Sequence, residues 1–471
     1  SNNTAVGKSA LAANTTGASN TGVGQGALTA NTTASYNTAI GDAALDANTT
    51  GSGNVAVGSG ALTASNADYN VAVGQNALLS NTTGVRNVAL GRQALEQNTT
   101  GNYNVALGYS ALEENTTASV NTGIGYKALE ANTTGSSNTA LGYTALVSNT
   151  TASNNTGLGA YTLVSNTTGE MNTAVGSQAL EDNTTGSYLI AIGKDALANN
   201  TTALYNIAIG VAALKTNTTG ERNVAMGHAA LEDSTTASYN TAIGYGAARD
   251  VTTGTHNTAV GYQALNVNTS GAYNVALGSG ALDANVSGDY NTACGYNCLG
   301  ANTTGSFNVA IGLNAQENAT TASNNVAIGY QSLQSTAGNN NVAVGHNALN
   351  ANTTGTQNNA IGANALDACT TGQRNQAMGF NALTNCTTGY RNVAVGNDSA
   401  NTLTTGYHNV ALGEQTMYYA TTAIGNTALG YKAGVSVTTG GYNVCVGYGA
   451  GQTQITTQSN RLYIARGDAA A

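Results

Sequence analysis

Apolar, small and polar positions alternate along this chain with a fixed spacing of 17 residues, as in Asn37–Gly53, NTAIGDAALDANTTGSG. With Asn as position 1, units start at Asn3, Asn20, Asn37 and Asn54 and, after a one-residue deletion, at Asn70. They continue to Asn172, Leu189 replaces Asn once, and the series resumes from Asn206 to Asn325. A second deletion leads to Asn341 and then to Asn443 and Asn460. Position 2 is usually Thr or Val, position 3 Ala or Gly, position 4 apolar, position 5 Gly, position 9 usually Leu, and positions 12 to 15 usually NTTG or NTTA.

This pattern predicts a three-residue strand, a glycine corner, a short Ala-Leu segment and an Asn-Thr-Thr-Gly turn. Fragments such as ALEEN favour helix locally, but Gly and NTTG interrupt them well before the roughly 12 residues a marginal helix needs. A fixed period of this size marks a solenoid. The predicted fold is therefore all-β, a parallel β-solenoid or β-roll of about 27 rungs, each stacked roughly 4.8 Å on the last, for a rod of roughly 130 Å. Residues 1–459 read as one continuous repeat domain and 460–471 as a C-terminal end segment.

Stacked Asn at positions 1 and 12 is expected to form amide ladders, although turn chemistry also accounts for much of the Asn and Thr. A required Gly at position 5 points to positive φ or close backbone packing at Gly41, Gly58 and Gly74. Bulk places positions 4 and 9 in the lumen, with Ile40, Leu45, Val57 and Leu62 as the core stack. Alternation along a strand then turns position 3 outward, making Ala39, Ala56 and Ala72 a small-residue stripe against which another chain would pack. The opposite assignment puts Ala inside and leaves Ile and Leu exposed, which demands a partner more strongly.

The chain of 471 residues has 60 Gly, no Pro, no Trp, two Phe and 7% charged residues, an unusual composition for a globular enzyme of that length. The strict repeat argues against disorder. A net charge of -9 supplies no basic patch for nucleic acid. No apolar run is long enough to span a bilayer. No signal peptide is visible, and the opening in mid-pattern at Ser1-Asn2-Asn3 suggests a processed product.

The motif N-[TV]-A-[VI]-G, seen in Asn37-Thr38-Ala39-Ile40-Gly41 and Asn54-Val55-Ala56-Val57-Gly58, resembles the head repeats of YadA-like trimeric autotransporter adhesins. That resemblance implies a left-handed parallel β-roll, a homotrimer and an extracellular, cell-surface location. The unit here is longer than those head repeats, by its NTTG insertion. The longer form also looks like repeats of phage tail fibres, which would place the chain on a virion. The stretch Gln458-Ser459-Asn460-Arg461-Leu462-Tyr463-Ile464-Ala465 resembles the segment preceding an intramolecular chaperone domain in such fibres. The function this implies is a structural, adhesive fibre shaft. Its partners would be other copies of itself, as a homotrimer or laterally packed filament, and a host surface glycan or protein.

Candidate chemistry is sparse. His228, His256, His346 and His408 fall at positions 6 and 17 of distant rungs, so they form no metal cluster. Acids near position 10 (Glu96, Glu130, Glu181, Asp283, Asp367) lack a calcium-repeat signature and read as a solvated stripe. Cys369 and Cys386 share position 12 one rung apart, about 4.8 Å in Cα spacing, which fits either a cross-rung disulfide or two thiols in the Asn ladder. Cys294, Cys298 and Cys445 read as small buried hydrophobes. Tyr columns at position 6 (Tyr109, Tyr126, Tyr143, Tyr245, Tyr262) and position 17 (Tyr36, Tyr103, Tyr188, Tyr205, Tyr239, Tyr273) fit inter-rung stacking or the gripping of sugar or protein. Asn-Thr-Thr is a glycosylation sequon, stacked Thr pairs raise ice binding, and Arg466-Gly467-Asp468 spells an integrin motif. No nucleophile-base pair or phosphate loop appears, so no enzyme activity, cofactor or resident metal is expected.

Overall fold

The computed structural model describes residues 2–453 and 456–465. It is all-β, a parallel β-solenoid of about 27 turns, with no helix among the described residues. The chain forms two compact units, residues 1–238 and 239–471. The first holds fourteen strands of three residues, from β1 (Thr4–Val6) to β14 (Val224–Met226). The second holds fourteen more, from β15 (Thr241–Ile243) to β28 (Leu462–Ile464). At roughly 4.8 Å per rung, each unit is a stack about 60 Å long.

Within each unit successive strands pair in parallel and in register: Thr38 faces Val55, Ala39 faces Ala56 and Ile40 faces Val57. Hydrogen bonding continues beyond the strands. The N–H of Leu28 donates to the carbonyl of Ala44 in the next coil (3.1 Å), and the N–H of Ala43 donates to the carbonyl of Gln25 in the previous one (2.9 Å). This is possible because the chain alternates right- and left-handed backbone there. Ala43, Leu45 and Tyr36, at positions 7, 9 and 17, have φ of 53°, 54° and 63°. Such values are unfavourable for residues with a Cβ. They turn successive peptide groups along the stack, so that each coil bonds to its neighbours on both sides.

The corner at position 5 requires glycine. Gly41, Gly58 and Gly74 have φ of 142°, 136° and 137°, and a Cβ on each would strike the carbonyl of the next corner glycine.

The faces of the strand are the reverse of those expected from bulk. Ala39, Ala56 and Ala72 are wholly buried, while Ile40 is 41% exposed and Val57 half-buried. Leu45 and Leu62 do lie in the core, as expected. The lumen is narrow, and the position-9 leucine of the preceding coil already reaches across it. Where Gly123 stands in for Ala, a Cβ would meet Leu112 Cγ at 3.2 Å and the Ala128 carbonyl at 3.1 Å. Only a methyl fits there, so the larger residue of the strand is turned outward.

The rest of the core is polar. From Asn20 onward, Asn at positions 1 and 12 is buried throughout unit 1, apart from Leu189 at position 1 and Ser65 and Ser234 at position 12. Position 12 forms a side-chain ladder: Asn98 Nδ2 donates to Asn81 Oδ1 (2.8 Å), Asn115 to Asn98 (2.8 Å) and Asn132 to Asn115 (2.9 Å). Position 1 works differently. Asn37 Oδ1 accepts the N–H of Asn54 in the next coil (2.8 Å), and Asn37 Nδ2 closes its own coil on the Gly51 carbonyl (2.9 Å).

The two one-residue deletions share a local feature. Both short turns carry a hydroxyl at position 12, and it accepts an N–H two residues on: Ala67 to Ser65 Oγ (3.1 Å) and Gly338 to Thr336 Oγ1 (3.0 Å). Over residues 460–465 the end segment continues the solenoid. Asn460 takes position 17, and Arg461, whose N–H donates to Asn443 Oδ1 (3.0 Å), takes position 1 before β28.

Candidate functional site

The outward sheet face is the most extensive unusual surface. Position 4 is apolar in all twenty-eight strands, and position 2 is Thr, Val or Ile except at Asn359, Gln376 and Leu462. Neither position carries a charge in any of these strands. Leu107, Leu141, Met226, Ile243 and Met378 all stand more than a third exposed. Cys294 belongs to this face as well; it is half-buried at position 4, while Cys298 and Cys445 are buried. A single exposed Leu is ordinary, but a continuous apolar column is not. In unit 2, Asn359 Nδ2 donates to Gln376 Oε1 (2.6 Å), an amide pair within this apolar column. The two line a shallow groove with Val342, Ile361, Met378 and Val395.

Most tyrosines of the two columns stack between rungs, whereas Tyr36 stands 72% exposed and Tyr103 sits beside Arg86. At position 6, Tyr109, Tyr126 and Tyr143 lie with ring centroids 5.5 and 5.1 Å apart. At position 17, Tyr239, His256, Tyr273, Tyr290 and Phe307 form a run of five with spacings of 4.8, 4.7, 4.9 and 5.1 Å. Each ring covers its neighbour's face, leaving edges and phenol groups outward. Faces are what stacking on a sugar would need, so these columns support the coil more than they offer a platform.

All five cysteines are free thiols, and the Cys369–Cys386 pair does not form the expected disulfide. The two are buried and hydrogen-bonded to each other, and they contact the Gly372 and Gly389 carbonyls at 3.8 and 3.7 Å, the type of carbonyl that Asn bonds elsewhere. The mutual hydrogen bond holds the Cys369 thiol below the usual range; together with burial it lifts Cys386 well above. Burial alone pushes Cys445 up to about 11.

Other expected sites are placed plainly. Glu130 pairs with Lys127 (2.8 Å), Glu96 accepts from Gln93 (2.9 Å) and Glu181 from Gln178 (3.0 Å). Burial raises the carboxyls of Asp283 and Asp367. No three His, Cys, Asp or Glu among the described residues converge to hold a metal ion. In NTT sequons such as those of Asn98 and Asn115 the Asn is buried with its Nδ2 in the ladder, so glycosylation of the folded coil has no accessible acceptor there. The first Thr of the pair donates to a carbonyl of the next coil, as Thr99 Oγ1 does to Thr116 (3.0 Å), which removes it from any free hydroxyl array. Arg466-Gly467-Asp468 lies outside the described residues.

Sequence reasoning missed the left-handed columns at positions 7, 9 and 17, because Leu, Ala and Tyr give no local signal for that conformation. It also missed a basic groove around Arg374 and Arg391. That signal was present, as two arginines at position 17 of consecutive units.

No protein-family model and no curated protein matches this chain.

Proposed function

We propose that this chain is the structural shaft of an extracellular fibre, on a cell surface or a virion, which assembles with further copies of itself through the outward sheet face and carries adhesion. The observation that carries the reading is the uncharged column of position 4 side chains. Its pitch is one rung, so the surface that matches it residue for residue is the same column of another copy. For each unit the column offers on the order of 600 Å², close to the roughly 800 Å² per partner of a standard interface. A trimer about a common axis and a laterally packed filament both satisfy it. The left-handed turn and trimeric order implied by the resemblance to adhesin head repeats belong to the same reading. The alternative of a phage tail-fibre shaft uses the same face in the same way. The proposed work is mechanical.

Placing charge on the column tests this. Leu107→Asp, Leu141→Asp and Ile243→Asp combined alter exposed side chains and should leave the coil folded by circular dichroism. Sedimentation should show the parent chain as an oligomer and the variant as mostly monomer. A parent chain that is monomeric at micromolar concentration defeats the reading.

A further inference from the structure

Position 17 carries arginine at Arg86, Arg222, Arg374 and Arg391. The first two sit beside rings: the Arg86 guanidinium is 5.9 and 5.6 Å from the Tyr69 and Tyr103 centroids, and that of Arg222 is 5.5 Å from Tyr205. Arg374 and Arg391 differ. They occupy consecutive rungs, about 4.8 Å apart along the stack. Arg374 Nε donates to Gln357 Oε1 (2.8 Å), and Arg391 Nη1 lies 3.3 Å from His408 Nε2. Neither forms an ion pair among the described residues. Like charges on adjacent rungs repel, and in a chain of net charge -9 nothing about the overall charge demands them there. Between them lies a groove of about 340 Å³, lined by Thr371, Gln373, Arg374, Thr388, Tyr390 and Arg391.

We propose that this groove binds an acidic polysaccharide, its guanidinium pair taking carboxylate or sulfate groups and its hydroxyl, amide and phenol groups bonding the sugar hydroxyls. Paired guanidinium groups suit planar or tetrahedral oxoanions. The neutral donors and acceptors beside them suit a ligand whose charges are separated by hydroxyl-rich stretches. A nucleic acid, charged at every step, calls for a longer basic track than two arginines provide. The groove lies within a single chain, so the inference stands apart from the assembly reading.

The test titrates the full chain with heparin, polygalacturonate, dextran and an oligothymidylate. Heparin or polygalacturonate should bind and dextran should not, and the stronger of the two identifies sulfate or carboxylate. Arg374→Gln with Arg391→Gln should weaken that binding at least tenfold and flatten its salt dependence, while circular dichroism stays unchanged. Arg374→Lys with Arg391→Lys should keep part of the affinity. Failure of both charged polysaccharides to bind, undiminished binding by the glutamine variant, or tighter binding of the oligothymidylate would each overturn the proposal.

Discussion

Two stretches of the molecule build the same coil around different interiors. In unit 1, from Asn81 to Asn217, position 12 is an unbroken amide ladder whose bonds run from 2.8 to 3.1 Å. In unit 2, the column reads Cys369, Cys386, Leu403, Ala420 and Val437, all buried. The backbone hardly registers the change: Thr387 N–H still donates to the Thr404 carbonyl (2.9 Å), and Val393 still faces Val410. Position 1 keeps bonds that it also makes beside an intact ladder, where Asn308 Nδ2 donates to Asn291 Oδ1 (3.1 Å). Asn392 Nδ2 donates both to the Gly406 carbonyl (2.8 Å) and to Asn375 Oδ1 (3.1 Å), and Asn409 and Asn426 repeat the arrangement. The turn is therefore closed by one Asn per coil, and the second Asn is a filler that must be either bonded or apolar. Where the ladder stops without a donor it leaves a mark. Asn217, Asn302 and Asn352, each followed one rung on by Ser234, Ala319 or Cys369, have buried Oδ1 atoms without a partner.

If the backbones of the two stretches are equivalent, the largest effect should be the same in both. Gly125→Ala and Gly396→Ala each place a Cβ against the next corner glycine at a positive φ. Each should cost about 3–5 kcal/mol, read as loss of hydrogen-exchange protection in the coils around the substitution, since repeat arrays unfold in parts. Costs differing by more than about 1 kcal/mol would show that the two backbones are not alike.

The next effect separates the two interiors. Asn132→Leu leaves Asn115 Oδ1 without its donor and takes the ladder acceptor from Asn149 Nδ2. Leu403→Asn introduces an amide whose neighbours in the column, Cys386 and Ala420, are no Asn, and removes apolar packing. Both should destabilise their own stretch by about 1–3 kcal/mol. A neutral Asn132→Leu would mean that the columns are interchangeable and that the ladder contributes nothing beyond filling space.

The period, the corner glycines, the amide ladders and the core leucines were all legible in the sequence, because each is a fixed residue type at a fixed position. The facing of the strand was not. Alternation says that Ala39 opposes Thr38 and Ile40, but not which side is the lumen, and bulk pointed the wrong way. The deciding contact, a leucine from the preceding coil crossing over Ala, joins residues that the unit pattern treats separately. The exposed column that followed from the alternative facing is now the surface on which the candidate site rests. The left-handed residues left no trace, since the hydrogen bonds between coils stabilise them in place of glycine. The hydroxyl turns at Ser65 and Thr336 were readable from their coincidence with the deletions.

The smallest effect is the sharpest test of the comparison, because it predicts a gain in one place and none in the next. Cys369→Asn would put a donor opposite the orphaned Asn352 Oδ1 and extend the ladder by one rung. A buried hydrogen bond gained in this way is worth about 1 kcal/mol, offset in part because the new amide's own oxygen then faces Cys386. Cys386→Asn, between Cys369 and Leu403, finds no amide on either side and should destabilise. The two together should exceed the first alone, since the oxygen left open after Cys369→Asn is then filled. Hydrogen exchange of the amides from Asn352 to Gly389 reads all three variants in one region. Equal effects from the two single substitutions would show that stacking of like residues, and not the direction of the amide bonds, holds this column together.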